Sequence, residues 1–152
     1  MAGTGALCNA GTWSSTINAT SPSVCVSCVA GTFSTAVGAS NFSTCVNCAA
    51  GAWSSVSGLS TALQCVNCEP GTWSSVSGLS ISLQCAHCAL GTWSSSRPLL
   101  GPNMMTDSIS CIACNAGTYS TSITATSDLA CIPCPHGQMS LTKGATSSNL
   151  FI

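Results

Sequence analysis

Charge is nearly absent from this sequence. Lysine and arginine together number 2 and aspartate and glutamate 3 in 152 residues, so charged side chains make up 3% of the chain where soluble domains carry roughly 25%. The whole ionic inventory is Arg97, Lys143, Glu69, Asp107 and Asp128. A formal net charge of −1 offers no basic patch to neutralise phosphates, which argues against nucleic acid as a partner. It equally leaves no polybasic segment for an anionic membrane surface. Long apolar runs are missing too: no stretch reaches the ~18 residues of a transmembrane candidate, and no membrane span is expected. Residues 1–7, MAGTGAL, lack the charged start and apolar centre of a secretory signal. On that feature alone the chain would stay in the cytosol, a reading the cysteines outweigh. No apolar period of 3.6 residues survives, and Ser, Thr and Gly dominate, so helix has little support. A near-neutral surface gives no charge repulsion against self-association. Hydration must then come from the 28 serines and 17 threonines, from glycans, or from incorporation into an assembly.

What is present is a repeat. Residues 45–64 read CVNCAAGAWSSVSGLSTALQ and residues 65–84 read CVNCEPGTWSSVSGLSISLQ, identical at 15 of 20 positions. Such self-similarity at a fixed period marks an array of stacked supersecondary units. The frame extends both ways. Its glycines fall at Gly11, Gly31, Gly51, Gly71, Gly91, Gly117 and Gly137, each followed two residues later by Trp13, Phe33, Trp53, Trp73, Trp93, Tyr119 and Met139. A serine comes next every time, from Ser14 to Ser140. The spacing is 20 residues except between Trp93 and Tyr119, where it is 26.

The 13 cysteines stand at 8, 25, 28, 45, 48, 65, 68, 85, 88, 111, 114, 131 and 134. Two chemistries compete for them. The C-x₂-C-x₁₆-C-x₂-C spacing fits a four-cysteine zinc ribbon. The rival is a disulfide ladder, in which the second Cys of each C-x-x-C bonds the first Cys of the next. The ladder is favoured because the cysteines show no rhythm of four, and because 2 cationic side chains cannot balance several dianionic zinc centres. The sequons Asn18, Ala19, Thr20 and Asn41, Phe42, Ser43 also make sense only in the secretory pathway. A redox C-x-x-C is a third reading without a βαβ context to support it. The ladder would pair Cys8 with Cys25, Cys28 with Cys45, Cys48 with Cys65, Cys68 with Cys85, Cys88 with Cys111 and Cys114 with Cys131, leaving Cys134 odd. Each bridge is worth about 3 kcal/mol in a chain-entropy estimate, and it replaces a core that so small a unit cannot build.

The fold expected is small, disulfide-rich and all-β with minimal helix, an elongated rod of about seven ~20-residue units. A residue 1–7 lead precedes units near 8–27, 28–47, 48–67, 68–87, 88–113 and 114–133; residues 134–152 form an incomplete last repeat with an apolar tail. The segment 72–76 reads as a short strand after the turn at Gly71, and Gly58 and Gly78 mark a second turn before a strand approaching Cys65 or Cys85. The run C-x-x-C-x-x-G-T-[W/F/Y]-S with its return cysteine resembles the ephrin-receptor-like cysteine-rich repeat, over Cys8 to about Ser140. It is more distantly similar to the first half-module of tumour-necrosis-factor-receptor-like domains. The resemblance implies the same sequential pairing and an elongated ectodomain, a spacer or ligand platform of the kind abundant in surface proteins of protists and algae.

Other residues point less sharply. The aromatic series is either a sugar- or ligand-stacking ladder or, as favoured, a set of rings covering each unit's own disulfide and the next unit's turn. His87 and His136 sit beside cysteines at positions that do not recur, so no metal is expected. Glu69, Asp107 and Asp128 lie in different units without carboxylate-pair spacing, and no serine has a histidine–acid set. Neither an enzyme nor a cofactor is indicated. The loop between Cys88 and Cys111 is six residues longer than its siblings and carries Leu99, Leu100, Met104 and Met105 between prolines and Gly101. It reads equally as a self-packed loop or a contact patch. At the ends, Gly5 occupies the first position of the C-x-x-C completed by Cys8, and Phe151, within the apolar Leu150, Phe151 and Ile152, stands where the partner of Cys134 belongs. Ends cut within a repeat and lacking polar caps favour head-to-tail polymerisation. The functional expectation is a structural subunit of an extracellular, glycosylated filament, coat or stalk, with copies of itself and covalent glycans on Asn18 and Asn41 as partners. The alternative is the ligand-binding rod of a cell-surface receptor.

Overall fold

The computed structural model describes residues 8–16, 21–95 and 111–148. Each described repeat follows one local plan. After its first cysteine the chain turns through a glycine with positive φ, +80° at Gly31, a region open to glycine and costly for residues with a Cβ. The next residue is usually threonine because its hydroxyl closes this turn: Thr32 Oγ1 donates to the Val29 carbonyl at 2.7 Å, and Thr12, Thr72, Thr92 and Thr118 repeat the bond. A two-residue strand follows, such as β1 (Thr12–Trp13) or β3 (Thr32–Phe33). The buried serine after it ends the strand by capping locally. Ser14, Ser34, Ser54 and Ser120 accept at Oγ from the backbone N–H two residues on, at 3.1–3.3 Å, a serine turn that competes with strand geometry.

The chain returns through a three-residue 3₁₀ turn rather than a strand. Pro22–Val24, Phe42–Thr44, Ala62–Gln64, Ser82–Gln84 and Asp128–Ala130 all precede a second cysteine. Gln64 Oε1 holds one such turn by accepting from the N–H groups of Ser60 and Thr61 at 2.7 and 3.1 Å. The second strand lies between the two cysteines of C-x-x-C, as in β2 (Val26–Ser27) and β4 (Val46–Asn47), and pairs antiparallel with the first: Trp13 opposite Val26, Phe33 opposite Val46. Six such two-stranded sheets form among the described residues. The expected strand over 72–76 is thus limited to β7 (Thr72–Trp73), and the expected strand before Cys65 and Cys85 is a 3₁₀ turn.

Two compact units result, Met1–Asn67 with Val76–Gln84 and Cys68–Ser75 with Cys85–Ile152, so the division falls inside the fourth repeat. In both, main-chain bonds stitch each repeat to the next. In the first, Gly31 N–H donates to the Ser54 carbonyl, Ser34 N–H to Leu59 and Gly58 N–H to Cys28, at 2.8, 3.0 and 2.8 Å. In the second, Gly91 N–H donates to Ser120, Ser94 N–H to Ala125 and Gly144 N–H to Cys114, at 3.0, 2.9 and 2.8 Å. Parallel bridges join Phe33 to Leu59 and Tyr119 to Ala145 in the same way. Side-chain identity does not enter these bonds, so repeats that differ in sequence can make them alike.

Packing reaches beyond the neighbouring repeat, unlike simple end-to-end stacking. A Cβ on Gly31 would stand 2.4 Å from the carbonyl oxygen of Gly78, two repeats later, and one on Gly91 would stand 2.3 Å from that of Gly144. The glycine is therefore needed for contact as well as for φ. The core is correspondingly thin. In the first unit Cys48, Ala52 and Leu59 form its buried cluster, with Phe33 and Cys65 packed against it. Cystine sulfur and small aliphatic groups stand where a larger domain has Leu and Phe layers.

Candidate functional site

Six disulfides close the repeats: Cys8–Cys25, Cys28–Cys45, Cys48–Cys65, Cys68–Cys85, Cys88–Cys111 and Cys114–Cys131, with Cα separations of 5.6–5.9 Å. The first cysteine of each is buried, so the bonds lie inside the repeat and are structural. Cys134 is a free, half-buried thiol. No group of three or more His, Cys, Asp and Glu able to hold a metal occurs among the described residues. His87 and His136 are exposed singly on different repeats.

Around Cys134 the chain repeats the common plan up to a point. Gly137 has φ +85°, Ser140 is buried, Gly144 N–H donates to the Cys114 carbonyl, and Cys134 N–H donates to that of Gly117. The plan breaks at Gln138 and Met139, which stand where every earlier repeat has a paired strand and are unpaired among the described residues. Met139 is exposed, and among the described residues nothing lies within 4 Å of where a Cβ on Gly137 would stand.

Trp13, Phe33, Trp53, Trp73, Trp93 and Tyr119 are half-buried, each in the first strand of its hairpin. Phe33 packs on Cys48 and Leu59, covering the next repeat. Trp13 meets the Phe42 ring of the next repeat edge-on, with centroids 6.1 Å apart. Trp53 has its indole Nε1 fully enclosed without a partner among the described residues. The rings are thus built into the repeat junctions, and Trp93 keeps an open cavity beside it.

One surface feature escaped sequence reasoning. The 3₁₀ turns present Leu63, Leu83 and Leu129 to solvent, 95, 88 and 89% exposed. Val26, Val46, Val66 and Ile132, on the outer face of the second strands, are exposed as well. The 20-residue period contained this signal, since Leu63 and Leu83 are equivalent, but the direction of a 3₁₀ turn could not be read from it.

Of the asparagine sequons, Asn41 is exposed and starts the Phe42–Thr44 turn, where its Oδ1 accepts from the N–H and hydroxyl of Ser43. Asn18 lies outside the described residues, as do Leu99, Leu100, Met104 and Met105 of the long loop and the terminal Leu150, Phe151 and Ile152.

Geometry and sequence together allow comparison with known families. The family model described as tyrosine-protein kinase ephrin type A/B receptor-like matches residues 101–149. Residues 101–149 are thus similar to the ephrin-receptor-like repeat. The match spans about a third of the sequence and contains the repeat closed by Cys114–Cys131, whose motif the earlier repeats share. No curated protein matches the chain. The ephrin-receptor-like match and the disulfides point to an extracellular or cell-surface module, since cystines persist in oxidising compartments. Disulfide-rich repeats of this kind are a non-enzymatic module type. No helix among the described residues is long and apolar enough to cross a membrane.

Proposed function

We propose that the protein is a structural subunit of an extracellular coat, stalk or filament, whose repeats interlock with repeats of another copy as they do with one another. The main-chain bonding between repeats carries this reading: in both units N–H groups of one repeat donate to carbonyls of another, as from Gly31 to Ser54 and from Ser94 to Ala125. Backbone groups are common to all repeats, so a repeat of a second copy can make the same kind of bond. Strand edges with free N–H and C=O groups recruit another strand, and a heterologous contact of this type grows into a filament unless its rotation closes a ring. The scarcity of charge supports the reading, because nothing repels a second copy. Glycans on Asn41 and Asn18 would supply the hydration that the missing charges do not.

Sedimentation of natively glycosylated protein tests the proposal. The expected result is concentration-dependent growth in sedimentation coefficient. A clean monomer at high concentration overturns it. The second reading, a ligand-binding receptor ectodomain, is favoured by one observation, the open cavity beside Trp93.

A further inference from the structure

The junction between the fifth and sixth repeats departs from the first in what it places over the aromatic ring. Phe42 and Asp128 are equivalent: each is the first residue of its 3₁₀ turn and stands three residues before the closing cysteine of its repeat. At the first junction Phe42 covers Trp13. At the fifth the ring is replaced by a carboxylate, and an open cavity of about 270 Å³ lies between Trp93, Asp128, Asn115, Thr118 and Ile112. Asn115 is a second exchange. Its counterpart beside Trp13 is Val29; beside Phe33 the two positions are Ala49 and Ala62, and in the repeat after Trp53 they are Glu69 and Ser82, an acid and a hydroxyl without the Asn115 amide. The Asp128 carboxylate has no hydrogen bond or ion pair among the described residues, and it is one of only 3 acidic side chains in the chain. Thr118 Oγ1 donates to the Asn115 carbonyl at 2.8 Å, so the hydroxyl keeps its lone pairs for a ligand while the Asn115 amide stays free to donate and accept.

We infer that this cavity is a carbohydrate subsite that takes one pyranose ring. An indole face accepts the apolar C–H face of a sugar, while its wet edge leaves the hydroxyls in reach of polar groups. The two Asp128 oxygens accept from neighbouring ring hydroxyls in charge-assisted bonds. Asn115 supplies the donor that a carboxylate lacks, and it accepts as well. Pockets for drug-sized ligands run from about 300 to 1,000 Å³, and a cavity of about 270 Å³ fits a single ring better than a longer molecule. A tryptophan beside a carboxylate also attracts a quaternary ammonium, but such cations are held by several rings around one charge, and here one ring faces an amide, a hydroxyl and an acid. The inference does not depend on whether the protein polymerises.

The test uses the full chain with all disulfides intact, enzymatically deglycosylated so that its own glycans do not compete. The readout is the indole N–H resonances of Trp13, Trp53, Trp73 and Trp93 during titration with glucose, galactose, mannose and N-acetylglucosamine. One indole, assigned to Trp93 by Trp93→Phe, is expected to shift saturably with a dissociation constant on the order of 1–10 mM for at least one sugar. Asp128→Asn should weaken that sugar by about ten- to a hundredfold, the worth of hydrogen bonds to a charged group. Asp128→Phe installs the ring already present at Phe42 and should abolish binding with the amide spectrum otherwise unchanged. The inference is overturned if no sugar saturates any indole, if all four shift in parallel, or if binding survives Asp128→Phe. Saturation by tetramethylammonium where the sugars fail would overturn it in favour of a cation site.

Discussion

Replacing Gly31 with alanine probes the contact between second-neighbour repeats, and Gly117→Ala is its internal control. Both glycines have the same backbone, with φ of +80° and +83°. Alanine in that region costs about 1–2 kcal/mol at either site. Their surroundings differ. At Gly31 the new Cβ meets the Gly78 oxygen at 2.4 Å, its carbonyl carbon at 2.8 Å and the Leu79 oxygen at 2.9 Å, whereas at Gly117 it meets nothing within 4 Å among the described residues. All three opposing atoms are backbone, so no rotamer relieves the overlap and two segments must part. Overpacking of this kind costs typically 1–3 kcal/mol. Gly31→Ala is therefore expected to lose about 2–5 kcal/mol and Gly117→Ala about 1–2. Native-state hydrogen exchange suits a repeat array, where local opening precedes global unfolding. The amides to watch in Gly31→Ala are Gly78, which donates to Cys48, and Ser54, which donates to Leu79. They lie far along the chain from the substitution and directly across the clash. Their opening constants should rise roughly five- to 150-fold beyond the change that Gly117→Ala causes at Gly144 and Ser120, the amides that join its own repeat to the next. Equal losses in the two variants, or unchanged protection at Gly78 and Ser54, would refute the second-neighbour contact.

Three further expectations follow from the same geometry. Leu79 is 4% and Leu83 88% exposed, so Leu79→Ala should cost about 2–5 kcal/mol and Leu83→Ala stay within about 0.5 kcal/mol by thermal or denaturant unfolding; comparable costs would contradict the packing. Replacing Cys48 and Cys65 together by serine should cost about 3 kcal/mol, and replacing Cys88 and Cys111 only slightly more, because loop entropy grows with the logarithm of length. Non-reducing peptide mapping checks the pairing itself, and recovery of Cys25 bonded to Cys28 would refute it. Intact mass should fall on deglycosylation of secreted protein and lose that shift at one site in Asn41→Gln; an unchanged mass on deglycosylation rules the glycan out.

The repeat was legible because its signals are covalent or nearly so. Cysteine spacing, a glycine with a fixed offset and a strand-forming aromatic recur every 20 residues, and each acts over a few residues of chain. From these come the all-β class, the hairpin between Gly31 and Cys48, the extracellular reading and the family resemblance. Sequence also isolated Asp128 as one of very few charges, though not its position beside Trp93. What tertiary structure decided is direction and neighbourhood. Leu79 and Leu83 are the same residue four positions apart, yet one is sealed beneath a parallel bridge and the other stands on a 3₁₀ turn in solvent. Gly31 and Gly117 occupy the same place in the motif, yet only Gly31 faces the carbonyl of a repeat 47 residues away. The replacement of Phe42 by Asp128 is a substitution in the alignment of repeats and a cavity only in three dimensions. A local pattern sets the fold of one repeat through torsion angles and short-range hydrogen bonds, whereas the packing of repeats within each compact unit sets which atoms meet across it, and that depends on small rotations summed over many residues.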